Sequence, residues 1–193
     1  MRFAISGPLY LIVTPRDLRS YSVSVARMDL KTMDHAVKAL MSSSPGRERL
    51  LQLNNDNARE TSHLTDEKFV SMIESACVAT VIEPALAFML AFDQDDRYDG
   101  GHFQWFRQRL DRFLYIDRVI VSATHRRHGL GRLLYEDLIR RAGRLNHPSI
   151  ACEVNFRPPN PVSDAFHARF GFVEIGRATI DNTGKGVRYL IRR

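Results

Sequence analysis

The segment from Tyr115 to Leu145 limits the folds open to this chain more than any other. Tyr115 to Ser122 reads Y-I-D-R-V-I-V-S, β-branched and aromatic, with the alternation of a half-buried strand. Leu130, Leu133, Leu134, Leu138, Ala142 and Leu145 then recur at spacings of three and four, which predicts an amphipathic helix. Between them stands Arg126-Arg127-His128-Gly129-Leu130-Gly131, a basic turn with two glycines. A strand that turns directly into a helix leaves the helix's first N–H groups, and the positive end of its dipole, at the turn, where an anion binds. The absent β-carbons of Gly129 and Gly131 let a large ligand lie against the main chain. The turn is not a P-loop, because no Gly-Lys-Ser/Thr follows, and it lacks the third glycine of the dinucleotide fingerprint.

A second segment points the same way. Pro158 to Phe172 reads P-P-N-P-V-S-D-A-F-H-A-R-F-G-F, and its Gly171 lies some forty residues after Gly129. Together the two segments resemble the acyl-CoA pyrophosphate loop and the Asn-x-x-Ala-x-x-aromatic-Tyr-x-x-x-Gly-Phe block of the GNAT superfamily of N-acetyltransferases. Asn160, Phe166, Gly171 and Phe172 fall on that pattern, Ser163 replaces the usual Ala, and His167 stands where a Tyr is common. The resemblance covers about residues 77 to 180; upstream, only the order of helices and strands agrees. It implies a mixed α/β (α+β) fold, a single domain whose central, mostly antiparallel sheet splays open where the cofactor enters and is flanked by helices. It implies acetyl-CoA as cosubstrate, no metal, and transfer of an acetyl group to a primary amine. The residues it places on acetyl-CoA are Val119 and Val121, then Arg126, Arg127, His128, Gly129, Leu130, Gly131 and Arg132, and finally Asn155 and Asn160.

Composition agrees with one enzyme domain. A chain of 193 residues buries a sizeable core. The formal net charge of +6 comes without any run of basic residues interleaved with aromatics, so no nucleic-acid partner is expected; the excess suits steering of a polyanion such as CoA. No run of eighteen apolar residues occurs, so no membrane span is expected. Cys77 and Cys152 are too few for a disulfide framework and lie in apolar runs, which reads as reduced, buried and cytoplasmic. His125 and His128 lack a third ligand at metal spacing. A homodimer is allowed by all of this. Residues 1–27, with four Arg and an apolar patch from Leu9 to Val13, read as an N-terminal extension expected to be dispensable, ahead of an acetyltransferase domain at 28–193.

Along that domain, periodicity predicts a helix from Thr32, broken at Ser42-Ser43-Ser44-Pro45-Gly46, and a short strand or helix end at Leu50–Leu53. A polar loop spans Asn54 to Ser62, and Thr65 opens a helix to about Ser75. Cys77–Glu83 and Leu86–Phe92 alternate about a turn at Glu83-Pro84, a hairpin; Tyr98–Phe113 is partly helical. After the glycine turn and its helix come a strand at Ile150–Asn155, a helix at Pro161–Phe170, a strand at Phe172–Ile180, a Gly184-Lys185-Gly186 turn and a strand at Val187–Arg192. Asn160 before Pro161 fits an N-cap, and Gly171 fits a left-handed C-cap.

Attack on a thioester needs a neutral amine, and an alkyl amine with a pKa of about 10.4 must first lose a proton. A carboxylate acting through water accepts it. Asp117 and Glu153, on predicted neighbouring strands, are the candidate bases; strand alternation leaves open which face is the cleft, and each also fits a strand-face salt bridge. Backbone N–H near Val121 is the candidate for polarising the thioester carbonyl. His167, at the position of the family's tyrosine, is the candidate proton donor to the departing thiolate, with a helix-surface histidine as the plain alternative. Acceptor specificity is assigned to Asn54–Thr65 and Tyr98–Trp105. Two other classes fit the same residues: an acyl-CoA-binding regulator without turnover, and a protein-directed enzyme acting on N-termini or lysines.

Overall fold

The computed structural model describes residues 43–82, 85–180 and 184–193. Its elements run α1 (Ser44–Asp56), α2 (Asp66–Ser75), β1 (Val78–Ile82), β2 (Ala87–Asp93), α3 (Gly101–Arg107), β3 (Leu114–Val121), a 3-10 turn (Ala123–His125), α4 (Leu130–Arg144), β4 (Ile150–Arg157), α5 (Pro161–Arg169), β5 (Val173–Ile180) and β6 (Lys185–Arg192). The strands form a six-stranded sheet in the order β1-β2-β3-β4-β6-β5. β3 and β4 pair in parallel, whereas β6 pairs antiparallel with both β4 and β5. The expected mixed α/β class with a mostly antiparallel sheet is what forms. The extension at 1–27 and the predicted helix from Thr32 to Ser42 lie outside the described residues, as does the turn at Glu83-Pro84.

The chain divides into two compact units. The first holds the described residues up to Glu74 together with Val78–Leu90 and Val119–Leu134; the second holds Ser75–Cys77, Ala91–Arg118 and Tyr135–Arg193.

In the first unit, Ser44-Pro45-Gly46 opens a helix that the sequence reading did not include, with Ser43 extended ahead of it and Pro45 in the first turn, where its missing N–H has no intrahelical partner to lose. Leu50, Leu53 and Asn54 are the buried positions of that helix, so the expected strand or helix end at Leu50–Leu53 is mid-helix. The polar loop that follows is held by asparagines. Asn54 Nδ2 donates to the Ser62 carbonyl at 3.0 Å, and Asn55 Oδ1 accepts from Leu64 N–H at 2.9 Å. Thr65 Oγ1 accepts from Lys68 N–H at 3.3 Å, which caps α2. β1 is buried at all five positions and β2 at six of seven, where the sequence predicts alternation. Strands covered on both faces carry continuous apolar runs.

In the second unit, β3 and β4 are joined only through Leu114, Ile116 and the residue between them, opposite Ile150 to Cys152. β4 continues against β6 as far as Arg157, with Glu153 opposite Tyr189. The parallel ladder therefore stops one residue before Asp117 and Glu153. An aromatic core lies alongside: Phe92 stacks on Tyr98 at 4.0 Å, Trp105 stacks on Tyr189 at 3.9 Å, and Phe103 and Phe106 from α3 meet Tyr115 at 5.5 and 5.8 Å. A second cluster joins Tyr135 of α4 to Phe166 and His167 of α5 and to Phe170 and Phe172 just past it.

Candidate active site

In the first unit, β3 ends at Val121 and the chain makes the 3-10 turn before entering α4 at Leu130. Ser122 N–H donates to the Leu86 carbonyl at 2.8 Å, which pins the end of the strand. Arg127 at φ 66° and Gly129 at φ 81° are both left-handed, and a β-carbon built on Gly129 meets nothing within 4 Å. Gly129 thus satisfies a conformation that L side chains avoid and faces open space. Arg127 adopts that conformation with a side chain, at a cost of about 1 kcal/mol or more. The first turn of α4 carries no acidic residue, and its leading N–H groups have no intrahelical acceptor. Arg126, Arg127, His128 and Arg132 are exposed around it. Arg126 is fixed: one guanidinium nitrogen donates to Asn57 Oδ1 at 2.6 Å, and its Nε lies 3.4 Å from the Val121 carbonyl. His128 Nδ1 lies 2.9 Å from the Arg126 carbonyl. Cationic side chains, unpaired N–H donors and a glycine that leaves the backbone open together fit a pyrophosphate.

The second unit holds the titratable residues. Asp117 Oδ1 accepts from the Tyr98 hydroxyl, and Asp117 Oδ2 accepts from Arg118 Nε at 2.6 Å. Glu153 Oε2 accepts from the Tyr115 hydroxyl at 2.8 Å. Burial first, then the negative charge of Asp117, pushes the Glu153 carboxyl up to about 8. The same burial, reinforced by Asp117 and Glu153, raises both Tyr98 and Tyr115, so each phenol remains a proton donor to its carboxylate. From α3, His102 Nδ1 lies 3.1 Å from the Tyr189 hydroxyl, and burial lowers its proton affinity despite Asp117.

Asn160 accepts from Ser163 N–H at 3.1 Å and so caps α5, ahead of Pro161. Gly171, at φ 75°, closes the helix, and Phe172 N–H donates to the His167 carbonyl at 3.1 Å. His167 is not the surface histidine of the plain alternative. It is 6 % exposed, with Nδ1 2.8 Å from the Ser163 carbonyl and Nε2 2.7 Å from the Tyr135 hydroxyl. Nδ1 bears the proton toward the carbonyl, and Nε2 accepts from the phenol; burial keeps the ring neutral by lowering its proton affinity. Val119 and Asn155 are half-buried on their strands. Tyr135 and Tyr189 are participants that sequence reasoning missed, and no local pattern marks them, whereas Tyr98 and His102 fall within the Tyr98–Trp105 stretch assigned to acceptor specificity.

Residues 85–172 match the model of the acetyltransferase (GNAT) family. The match spans the glycine turn, both carboxylates and α5, and it supports an acetyl-CoA-dependent N-acetyltransferase. No curated protein sequence matches this chain. Among solved structures it is similar to NAA60 of Arabidopsis thaliana in complex with acetyl-CoA (TM-score 0.58, 16% identity, 78% of this chain and 94% of that one). It is also similar to Arabidopsis thaliana Naa50 in complex with the bisubstrate analogue CoA-Ac-MVNAL (TM-score 0.57, 14% identity, 78% and 94%). A third neighbour is the ribosomal-protein-S18-alanine N-acetyltransferase of Escherichia coli (TM-score 0.50, 14% identity, 73% and 85%). At such identities the likeness establishes the fold.

Proposed function

We propose that this acetyltransferase acts on an α-amino group, the N-terminus of a peptide or protein, with the Asp117–Glu153 carboxylates supplying the base. The observation that carries the proposal is Glu153: half-buried just past the last β3–β4 pair, with its proton affinity pushed up to about 8. An α-ammonium group titrates at about 7.7–8.0, so its proton passes to such a carboxylate without a climb; a lysine ammonium near 10.4 would face a climb of about 3 kcal/mol. Two of the structural neighbours, the Naa50 complex and the S18-alanine enzyme, have peptide or protein acceptors in their names, which supports the same reading.

In the proposed sequence, the glycine turn and the head of α4 bind the pyrophosphate of acetyl-CoA, and β3 backbone at Val119 and Val121 lies along its acyl end. The carboxylate takes a proton from the ammonium, directly or through one water. The neutral nitrogen then attacks the thioester carbonyl, a C–N bond forms, and the C–S bond breaks with its electron pair leaving on the thiolate. The nitrogen loses its second proton to water, which balances the proton the thiolate takes up. His167 is the proposed partner of that thiolate. Its ring is neutral, so the proton within reach is one of the two it shares with Ser163 and Tyr135.

Release of free CoA with a panel of acceptors tests this. Peptides with a free N-terminus and no lysine should be turned over, and the same peptides blocked at the N-terminus but carrying lysine should not. Preference for the blocked, lysine-bearing peptides would end the α-amine assignment.

A further inference from the structure

We propose that Asp117 is a positioning residue: clamped by Tyr98 and Arg118 beside the point where β3 and β4 part, its fixed negative charge keeps Glu153 the basic member of the pair. This rests on the reading above, in which a carboxylate is the base, and assigns the two carboxylates different tasks.

The clamp is built from several elements. Tyr98 comes from the segment between β2 and α3. Its ring stacks on Phe92 with planes 8° apart and meets Phe103 at 5.5 Å, and its carbonyl accepts from Gln104 Nε2 at 3.0 Å. A β-carbon on Gly100 would come within 2.6 Å of that ring, so glycine is what lets the ring lie there. The hydroxyl so placed meets one oxygen of Asp117, and Arg118 Nε meets the other. The side chains of Asp117 and Arg118 are only 7% and 5% exposed. A carboxylate with both oxygens engaged and little access to solvent is poorly placed to meet an incoming ammonium group. It is well placed to act as a constant charge in a low-dielectric setting.

Glu153 differs on each count. It holds Tyr115's hydroxyl on Oε2, keeps partial exposure, and has no ion pair of its own among the described residues. The titratable and charged groups that act on it electrostatically are Tyr115, Asp117 and Arg118 from β3, Tyr98 from the segment before α3, Tyr189 from β6, Tyr135 from α4 and Cys152, its neighbour on β4, with His102 of α3 reaching the cluster through Tyr189. Arg118 is the single cation among these and is committed to Asp117. With two carboxylates and one guanidinium, the proton that remains to be shared belongs on Glu153.

The test is the pH dependence of kcat, which reports the groups of the enzyme–substrate complex, with one free-N-terminus peptide and saturating acetyl-CoA. Wild type should lose rate on acidification through a limb set by Glu153, and Glu153→Gln should lose that limb and about a hundredfold or more of the rate. Asp117→Asn should keep a limb, moved to lower pH by about one unit or more, because the neighbouring negative charge is gone. Arg118→Gln should move it the opposite way, and Arg118→Lys should leave it near the wild-type position. Asp117→Asn strips a buried guanidinium of its partner; if it does not fold, judged by the thermal shift with acetyl-CoA, the two Arg118 variants decide. A limb that stays fixed in Asp117→Asn and Arg118→Gln, or one that vanishes in Asp117→Asn and survives in Glu153→Gln, would overturn the proposal. If Glu153→Gln and Asp117→Asn both keep the wild-type profile, what fails is the carboxylate base itself.

Discussion

At His167 both ring nitrogens are engaged. Nδ1 is directed at the Ser163 carbonyl and Nε2 at the Tyr135 hydroxyl, and the side chain is almost fully enclosed. Burial, helped by the charge of Arg188, lowers its proton affinity against the opposing pull of the Ser163 carbonyl and Asp164. The sign for stability follows. Between the lowered folded value and the ordinary 6.5, the unfolded chain binds more protons, so the contribution of His167 is complete above about pH 6.5 and is lost as pH falls below it. His167→Ala should leave the Tyr135 hydroxyl buried without an acceptor, at a cost of about 1–3 kcal/mol. It should also lower turnover by roughly a hundredfold if the ring takes part in protonating the thiolate. Thermal melting and steady-state rates separate the two: lost stability with full turnover would leave His167 with a packing role only.

Elements with local signals are legible in the amino-acid sequence alone. Thr65 as a cap, Asn160-Pro161 as a helix start, Gly171 as a helix stop and the strand–turn–helix around Gly129 all form as read. The helix that Ser44-Pro45 opens is not legible, because Pro interrupts a helix interior yet favours a first turn, and the sequence does not tell the two uses apart. Asp117 and Glu153 are visible as strand carboxylates, but their division of labour is not. It depends on Tyr98, nineteen residues from Asp117 along the chain, and on a β3–β4 ladder that ends at Ile116 and Cys152. The prediction at this scale concerns the glycine turn. Gly129→Val adds a β-branched side chain at φ 81°, which such residues resist, and fills the open space before the backbone. We expect it to abolish the thermal shift that acetyl-CoA gives the parent protein, about 2.7 kcal/mol at one hundred times the dissociation constant. Gly131→Val, in the first turn of α4, should weaken the shift as well. A full shift in both variants would remove this turn from the acetyl-CoA site.

Over the whole molecule, the described residues carry every group invoked in the proposed reaction: the glycine turn in the first compact unit, the carboxylates and the Tyr135–His167 pair in the second. They also carry an extensive apolar interior, with Phe69, Ile73, Phe88, Phe92, Phe103, Phe106, Phe113 and Tyr115 all at most 1 % exposed. Burial on that scale is the main favourable term in folding, at roughly 1.5–3 kcal/mol for each large apolar side chain enclosed. Residues 1–27 contribute none of these groups. We therefore propose that a protein beginning at Met28 folds and binds acetyl-CoA. Its melting temperature should rise on addition of acetyl-CoA as far as that of the full chain, and its far-ultraviolet circular dichroism per residue should keep the mixed α/β shape. If residues such as Leu9 to Val13 instead complete the core, the shortened protein should expose apolar surface, aggregate on expression, or melt without responding to acetyl-CoA. Comparing the two proteins at equal concentration, with and without acetyl-CoA, separates these outcomes: a soluble truncated protein that ignores acetyl-CoA would place part of the binding machinery in the first 27 residues.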